Sequence, residues 1–197
     1  MIDRGVHAMG DEHELDVRSW IRQPRREELD LLRGLERDAG RAFAAIGMAD
    51  IAADEPLSVA ELDAFRTGGS AWVAVDRHDV AVAYVLSAVV DGCAHVEQVS
   101  VAPAHAGHGL GAMLIDHLGA LADAEDRPAL TLTTFRDVPW NAPYYRRLGF
   151  VTLDAADQGP QLAAIVLREA ASIPGDVPRV AMCRSPPVFT RGRVRER

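Results

Sequence analysis

Between Arg25 and Ile46 the apolar residues Leu32, Leu35, Ala39, Ala42, Phe43 and Ile46 recur at three- and four-residue steps, which predicts a helix with one apolar stripe, ended by Gly47. Before it, LDVRSWI (Leu15 to Ile21) alternates as a short strand does. Ser58 followed three residues later by Glu61 is a capping box and predicts the start of a second short helix. The pattern then changes to three strand-like runs, AWVAV, VAVAYVLSAVV and HVEQVSV, divided by Asp-Arg-His-Asp and Asp-Gly-Cys turns, as an antiparallel meander requires. From Leu110 to Ala124 the period returns to that of a helix. A strand ALTLTTF, a short helix around Ala142 to Leu148 and a strand at Phe150 follow, and this βαβα alternation implies one parallel crossover. A helix from Gln161 to Ala171 and a last strand RVAMCRS complete the pattern.

The segment that links the meander to the crossover is unusual. Gly107, Gly109 and Gly111 alternate directly after a strand and at the start of a helix. Backbone can come close to a ligand there, and the unpaired amides of a helix N-terminus face outward with the positive end of the dipole behind them. The turn therefore reads as a phosphate seat, with tight packing as the plain alternative. A dinucleotide fold requires G-x-G-x-x-G and an acidic residue closing the next strand. Here that strand closes with Thr133-Thr134-Phe135 and the segment follows a meander, so a dinucleotide site is excluded.

Composition narrows the chemistry further. The chain has 197 residues, room for one domain with a real core. We expect a mobile tail over residues 1–14, one domain over 15–186, and a basic, disordered tail over 187–197. All 21 basic residues are arginine, which excludes a lysine Schiff base and a GK[ST] phosphate loop. A net charge of -8 argues against nucleic acid and leans toward cationic small partners. Cys93 and Cys183 have no metal-ligand spacing, and no run of eighteen apolar residues or secretory signal is present; the expectation is a reduced, cytoplasmic protein with no metal and no membrane partner.

Taken together, VSVAPAHAGHGLGAML and, some thirty residues on, WNAPYYRRLGF resemble the GNAT superfamily of acetyl-coenzyme A (acetyl-CoA) dependent N-acetyltransferases. The family turn usually opens with Gln or Arg; here it reads Ala106, Gly107, His108, Gly109, Leu110, Gly111, so the glycines match and Ala106 departs. Asn141, Tyr145 and Gly149-Phe150 are similar to the family's second segment. The resemblance covers about Trp20 to Arg184 and implies a mixed α/β fold, a splayed sheet of about seven strands flanked by helices. In such a sheet the fourth and fifth strands, here HVEQVSV and ALTLTTF, part around the pantetheine arm. It implies acetyl-CoA as acyl donor, held by Val99, Val101, residues 106–111, Asn141 and Tyr145.

Acetyl transfer to an amine needs a proton acceptor, because an alkyl ammonium with a pKa of about 10 is mostly protonated at neutral pH. Glu97 is the first candidate and His95 the second. Simple alternation puts Glu97 on one face with His95 and Val99, opposite Val96 and Gln98. Tyr145 matches the tyrosine that the family holds as proton donor to the leaving thiolate; adjacent Tyr144 is the other tyrosine that the pattern could bury. The Val99 amide is the expected oxyanion donor, and Asn141 resembles the family's coenzyme-contacting asparagine, with a helix N-cap as a reading compatible with it. His105 and His108 lack a third metal ligand, His117 falls on an apolar helix face as a satisfied buried histidine, and Cys93 beside His95 has no orienting acid for a thiol nucleophile. The resemblance implies an acceptor pocket between the first two helices and the final strands, with Phe43, Met48, Phe135 and Trp140 as wall residues or core. The favoured reading is direct acetyl transfer to the primary amine of a small molecule. A peptide or protein amine, or a noncatalytic acyl-CoA-binding regulatory domain, are the alternatives. Exposed edges on the last strands make a homodimer an expectation.

Overall fold

The computed structural model describes residues 20–172 and 177–185, so both expected tails and most of the LDVRSWI run lie outside the described residues. Seven strands form one sheet: β1 (Trp20–Arg22), β2 (Ala71–Val75), β3 (Ala81–Val90), β4 (Cys93–Val101), β5 (Leu130–Phe135), β6 (Val151–Thr152) and β7 (Arg179–Arg184). Their order is β1-β2-β3-β4-β5-β7-β6, and every neighbour pair is antiparallel except β4 with β5. The meander and the single parallel crossover thus follow the sequence pattern. The last strand does not extend the sheet; β7 inserts between β5 and β6 and leaves the two-residue β6 at the edge.

The sharp turns have local causes. Asp91 and Gly92 join β3 to β4 with φ of 49° and 81°, the left-handed pair that a two-residue hairpin of matching twist requires. Ser58 accepts the Glu61 amide at 3.3 Å while the Glu61 carboxylate accepts the Ser58 amide at 2.8 Å, so the capping box opens α3 (Val59–Thr67) as the spacing predicts. The long first helix is different. After a 3-10 turn at Arg26–Glu28 only Leu29–Gly40 is α-helical (α1), Arg41–Ile46 continues as 3-10 helix, and a short α2 (Ala49–Ala52) follows. Gly40 stands where the helix changes, and left-handed Gly47 closes the segment. Leu32 and Leu35 face the core as the apolar stripe predicts, whereas beyond the change of helical type Ala42 and Ile46 are exposed, so the stripe holds only for α1 and merges two helical types into one.

The two faces of the sheet are covered unequally. On one face α4 (Leu110–Ala124) and α5 (Ala142–Arg147) pack Leu114, Ile115, Leu118, Ala142 and Tyr145, joined by Phe150 after α5, against Val85, Val96, Leu130, Leu132 and Met182 in one apolar cluster. On the other face there are two clusters. Leu29, Leu32, Leu35 and Leu62 of α1 and α3 cover Val73, Tyr84 and Leu86, while Leu162 and Ile165 of α6 (Pro160–Ser172) cover Val90 and Ala181. The part of β4 near the boundary between them carries His95, Glu97, Gln98 and Ser100. Among the described residues no helix is long and apolar enough to cross a membrane.

Candidate active site

The sheet opens in its middle. β4 and β5 pair only at Ala94 with Leu130, His95 with Thr131 and Val96 with Leu132, although both strands continue, β4 to Val101 and β5 to Phe135. β5 stays paired with β7 throughout, and β4 stays paired with β3. The result is a wedge between two otherwise intact half-sheets.

A β-bulge at Glu97 sets what faces that wedge. Leu86 pairs with Gln98 and Ser87 with Val96, so Glu97 is an extra residue on β4. Past the bulge the alternation changes phase. Val99 and Val101 pack with the α4 cluster, as Ala94 and Val96 do, whereas Gln98 donates to Ser100 Oγ at 2.8 Å on the opposite face. The expectation that Glu97 shares a face with Val99 and opposes Gln98 is therefore corrected: it rests on unbroken alternation, and the bulge breaks it. The same shift redirects the backbone. The Ala102 amide donates to the Val82 carbonyl, so in an antiparallel ladder the amides of 98 and 100 also turn to β3, and those of Val99 and Val101 point into the wedge.

At the wide end of the wedge stands the glycine turn. Gly107 and Gly109 have φ of 81° and 77°, and nothing lies within 4 Å of a Cβ built on either. Side chains are disfavoured there by strain rather than by crowding, and the open space lies before the first turn of a 15-residue helix. Gly111 differs: its Cβ position is 3.0 Å from the Tyr144 hydroxyl, so Tyr144 closes over the helix where a larger residue would keep it out. Asn141 precedes α5, but its side chain does not cap that helix. Its Nδ2 donates to Thr134 Oγ1 at 2.8 Å, leaving Oδ1 buried without a partner. An orphaned acceptor beside the end of β5, open space at the turn and two free strand amides fit a ligand that carries both amides and phosphates.

The family model of the Acetyltransferase (GNAT) family matches residues 20–150. The chain belongs to this family. Its fold is similar to the ribosomal-protein-S18-alanine N-acetyltransferase of Escherichia coli, with a TM-score of 0.57 at 15% identity over 85% of this chain and 94% of that one. It is also similar to a GNAT family acetyltransferase of Staphylococcus aureus, with a TM-score of 0.62 at 12% identity over 85% and 98%. A GNAT family acetyltransferase of Brucella melitensis, solved with acetyl-CoA, matches with a TM-score of 0.52 at 22% identity over 74% and 93%.

In this acetyltransferase the titratable groups are sorted by the sheet. Tyr145 is buried in the α4 cluster, its ring 5.7 Å from Phe150 and 5.5 Å from Tyr144 in edge-to-face contacts. Burial first, then Tyr144, raises its pKa, so the hydroxyl stays protonated and able to donate. His95 lies on the opposite face, 1% exposed, with Nδ1 2.9 Å from Thr131 Oγ1. Burial lowers its pKa to about 4, which leaves a neutral imidazole and a weak base. Glu97 as a residue is exposed, but its carboxyl is partly desolvated; this, and then the charge of Glu169 on α6, push it above the usual range against the opposing charge of Arg168. His117 is also corrected. It is half-buried against Trp72, with ring centroids 4.5 Å apart, but its Nε2 is buried without a partner.

Sequence reasoning did not single out a polar chain that anchors β4 from behind. Tyr84, fully buried, donates to Glu36 of α1 and also bonds Ser100, which in turn accepts from Gln98. Burial raises the pKa of Glu36. The chain fixes β4 just past the bulge, where Val99 and Val101 present their amides. A lone Tyr in a hydrophobic strand run and a Glu on a helix give no sequence signal of meeting across 48 positions.

Proposed function

We propose that the protein is an N-acetyltransferase that moves the acetyl group of acetyl-CoA directly to the primary amine of a small molecule. The observation that carries this reading is the coincidence of the wedge, which begins after Val96 and Leu132, with the open glycine turn at the mouth of α4. Acetyl-CoA supplies an activated thioester. Residues 106–111 hold its phosphates through backbone amides, Asn141 Oδ1 and the Val101 amide hold amides of its arm, and the Val99 amide holds the carbonyl oxygen as negative charge develops there. Glu97 takes the proton that the ammonium must lose before its nitrogen can form the new C–N bond. Tyr145 donates a proton to sulfur as the C–S bond breaks. His95, sealed and neutral, supports β4 from the acceptor side rather than exchanging protons with substrate. Two free cysteines and the absence of a membrane-spanning helix among the described residues support a cytoplasmic location within the same reading.

The test is calorimetric titration with acetyl-CoA, followed in the same preparation by thiol release against small amines and peptides. Binding with thiol release for a small amine is the expected result. Absence of binding overturns the reading, release for peptides alone reassigns the acceptor, and binding without release for either class makes the protein an acyl-CoA-binding domain.

A further inference from the structure

The N-terminus of α6 has no cap of its own. Gly159 stands at the capping position, its carbonyl accepting the Ala163 amide at 2.9 Å, and it offers no side chain; Pro160, the first helical residue, has no amide to satisfy. The two amides that a capping side chain would take, those of Gln161 and Leu162, are taken by Asp91. Its Oδ1 accepts from Gln161 at 3.1 Å and its Oδ2 from Leu162 at 2.9 Å. In return Gln161 Oε1 accepts the Asp91 amide at 2.8 Å. This is the reciprocity of a capping box, but its two halves lie 70 positions apart. Asp91 forms the tip of the hairpin between β3 and β4. A Cβ on Gly159 would lie 2.4 Å from the Asp91 carboxyl group, so the carboxylate reaches the helix only because residue 159 is glycine.

The rest of α6 is tied to the other half of the sheet. Leu162 and Ile165 pack with Val90 and Ala181. Glu169 pairs with Arg179 of β7 at 2.8 Å, and Arg179 reaches Thr133 Oγ1 of β5 at 3.4 Å and lies over the Phe135 ring at 4.6 Å. The helix therefore bridges the wedge, held at its start by the hairpin of β3 and β4 and near its end by β5 and β7. It does so on the face that carries His95, and the charges of its Arg168 and Glu169 reach both His95 and Glu97. Glu97, the extra residue of the bulge, has no partner in the register with β3. The charged groups around its carboxyl come from α6: Glu169, itself held by Arg179, and Arg168, with His95 beside them neutral.

Resting on the acetyltransferase reading, we propose that Asp91 is a positioning residue for the proton acceptor: from the hairpin tip it holds α6 across the wedge and so fixes the wall that stands against Glu97. A cap that served the helix alone needs no such reach, because a serine or aspartate at position 159 would satisfy the same amides locally. A cap taken from the hairpin instead couples the helix to the strand on which Glu97 stands.

The test reads the Glu97 carboxyl directly, by carbon NMR titration of protein labelled in glutamate and saturated with acetyl-CoA. Acetyl-CoA affinity and the chemical-denaturation midpoint are measured on every variant. Asp91→Gly removes both acceptors and suits the positive φ of the turn. Gly159→Ala leaves Asp91 in place and sets a methyl group in its way. Both are expected to loosen α6 over β4, admitting water to the Glu97 carboxyl and weakening the influence of Glu169. Its titration then moves down toward the ordinary carboxylate range, the loss of the opposing Arg168 charge being the smaller effect. For each small amine that the unaltered protein acetylates, kcat/KM is expected to fall about 10-fold with acetyl-CoA affinity within about 2-fold, because a misplaced group costs rate rather than donor binding. Gln161→Ala drops only the return bond; it is expected to move the titration the same way, and it decides the matter if the two stronger variants do not fold. Leu167→Ala, on the exposed side of α6, is expected to leave the titration where it is. A lowered denaturation midpoint with the Glu97 titration unmoved overturns the proposal and leaves Asp91 a stabilising cap, and an equal shift in Leu167→Ala overturns it too. Failure of the unaltered protein to bind acetyl-CoA overturns the acetyltransferase reading, whereas an unmoved titration in variants that bind it overturns the positioning role alone.

Discussion

The two faces of the sheet do different work with different materials. The face under α4 and α5 is an apolar core in which Tyr145 is buried and Asn141 lies at the margin, and the polar groups exposed beside it are mainly backbone: the glycine turn, strand amides and a helix N-terminus. The face under α1 and α6 is divided into two smaller cores, and side chains drawn from α1, β3, β4, β5 and α6 provide its polar groups. The difference teaches that a site built from backbone geometry tolerates sequence change, whereas a polar face built from side chains depends on each residue that supplies it. Ala106 illustrates the first half: the side chain usual in the family is missing, yet the turn keeps its left-handed glycines.

Gly109→Val should break the donor face most severely. A β-branched residue at φ 77° is strained by roughly 1–2 kcal/mol, and its methyls occupy the space before α4. Acetyl-CoA affinity measured by titration should fall by about 100-fold or more, since charge-assisted bonds to the turn are lost as well. Glu97→Gln should break the acceptor side without touching the donor side. We expect kcat/KM for the amine to fall about 100-fold while acetyl-CoA affinity stays within about 2-fold. Because the Glu97 carboxyl is pushed above its ordinary range, the active, deprotonated form accumulates only at correspondingly higher pH. The acid limb of kcat/KM should therefore rise with pH through that raised value, and the Gln variant should lose this limb. A pH profile that keeps it assigns the proton acceptor elsewhere.

Stability sharpens the contrast between the two kinds of core. Leu114→Ala, on the buried face of α4, should cost about 2–5 kcal/mol in chemical denaturation, as a cavity among apolar neighbours does. Tyr84→Phe should cost about 1–3 kcal/mol by leaving Glu36 and Ser100 without their shared partner. It should also raise KM for acetyl-CoA modestly, because β4 loses its anchor, whereas a purely structural role leaves KM unchanged. The smallest effect is a gain. Ala106→Arg restores a cation at the edge of the turn and should tighten acetyl-CoA binding about 5-fold at low salt, with the advantage vanishing as ionic strength rises.

The donor side was legible because its signals are local. Three glycines within five positions and the Asn141–Tyr145–Phe150 segment each sit on one strand-turn-helix unit, so spacing alone carries their geometry. Of the expected wall residues, Met48 and Phe135 line one cavity while Phe43 packs on Phe135 and Trp140, an arrangement that depends on the 3-10 segment after Gly40 folding back over β5. Glu36 and Tyr84 were not legible at all. Each is an ordinary residue for its element and acquires a role only from the other, 48 positions away.

By itself the sequence determined the order of elements, the meander followed by a crossover, the glycine turn at the start of α4 and the family to which the chain belongs, because hydrophobic period and turn chemistry act over a few residues. Only the tertiary structure decided that β7 enters between β5 and β6, that the Glu97 bulge reverses the alternation and turns the Val99 and Val101 amides into the wedge, and that a tyrosine and a glutamate meet behind it. A bulge is one residue too many on one strand relative to its partner, and that mismatch exists only once both strands are paired.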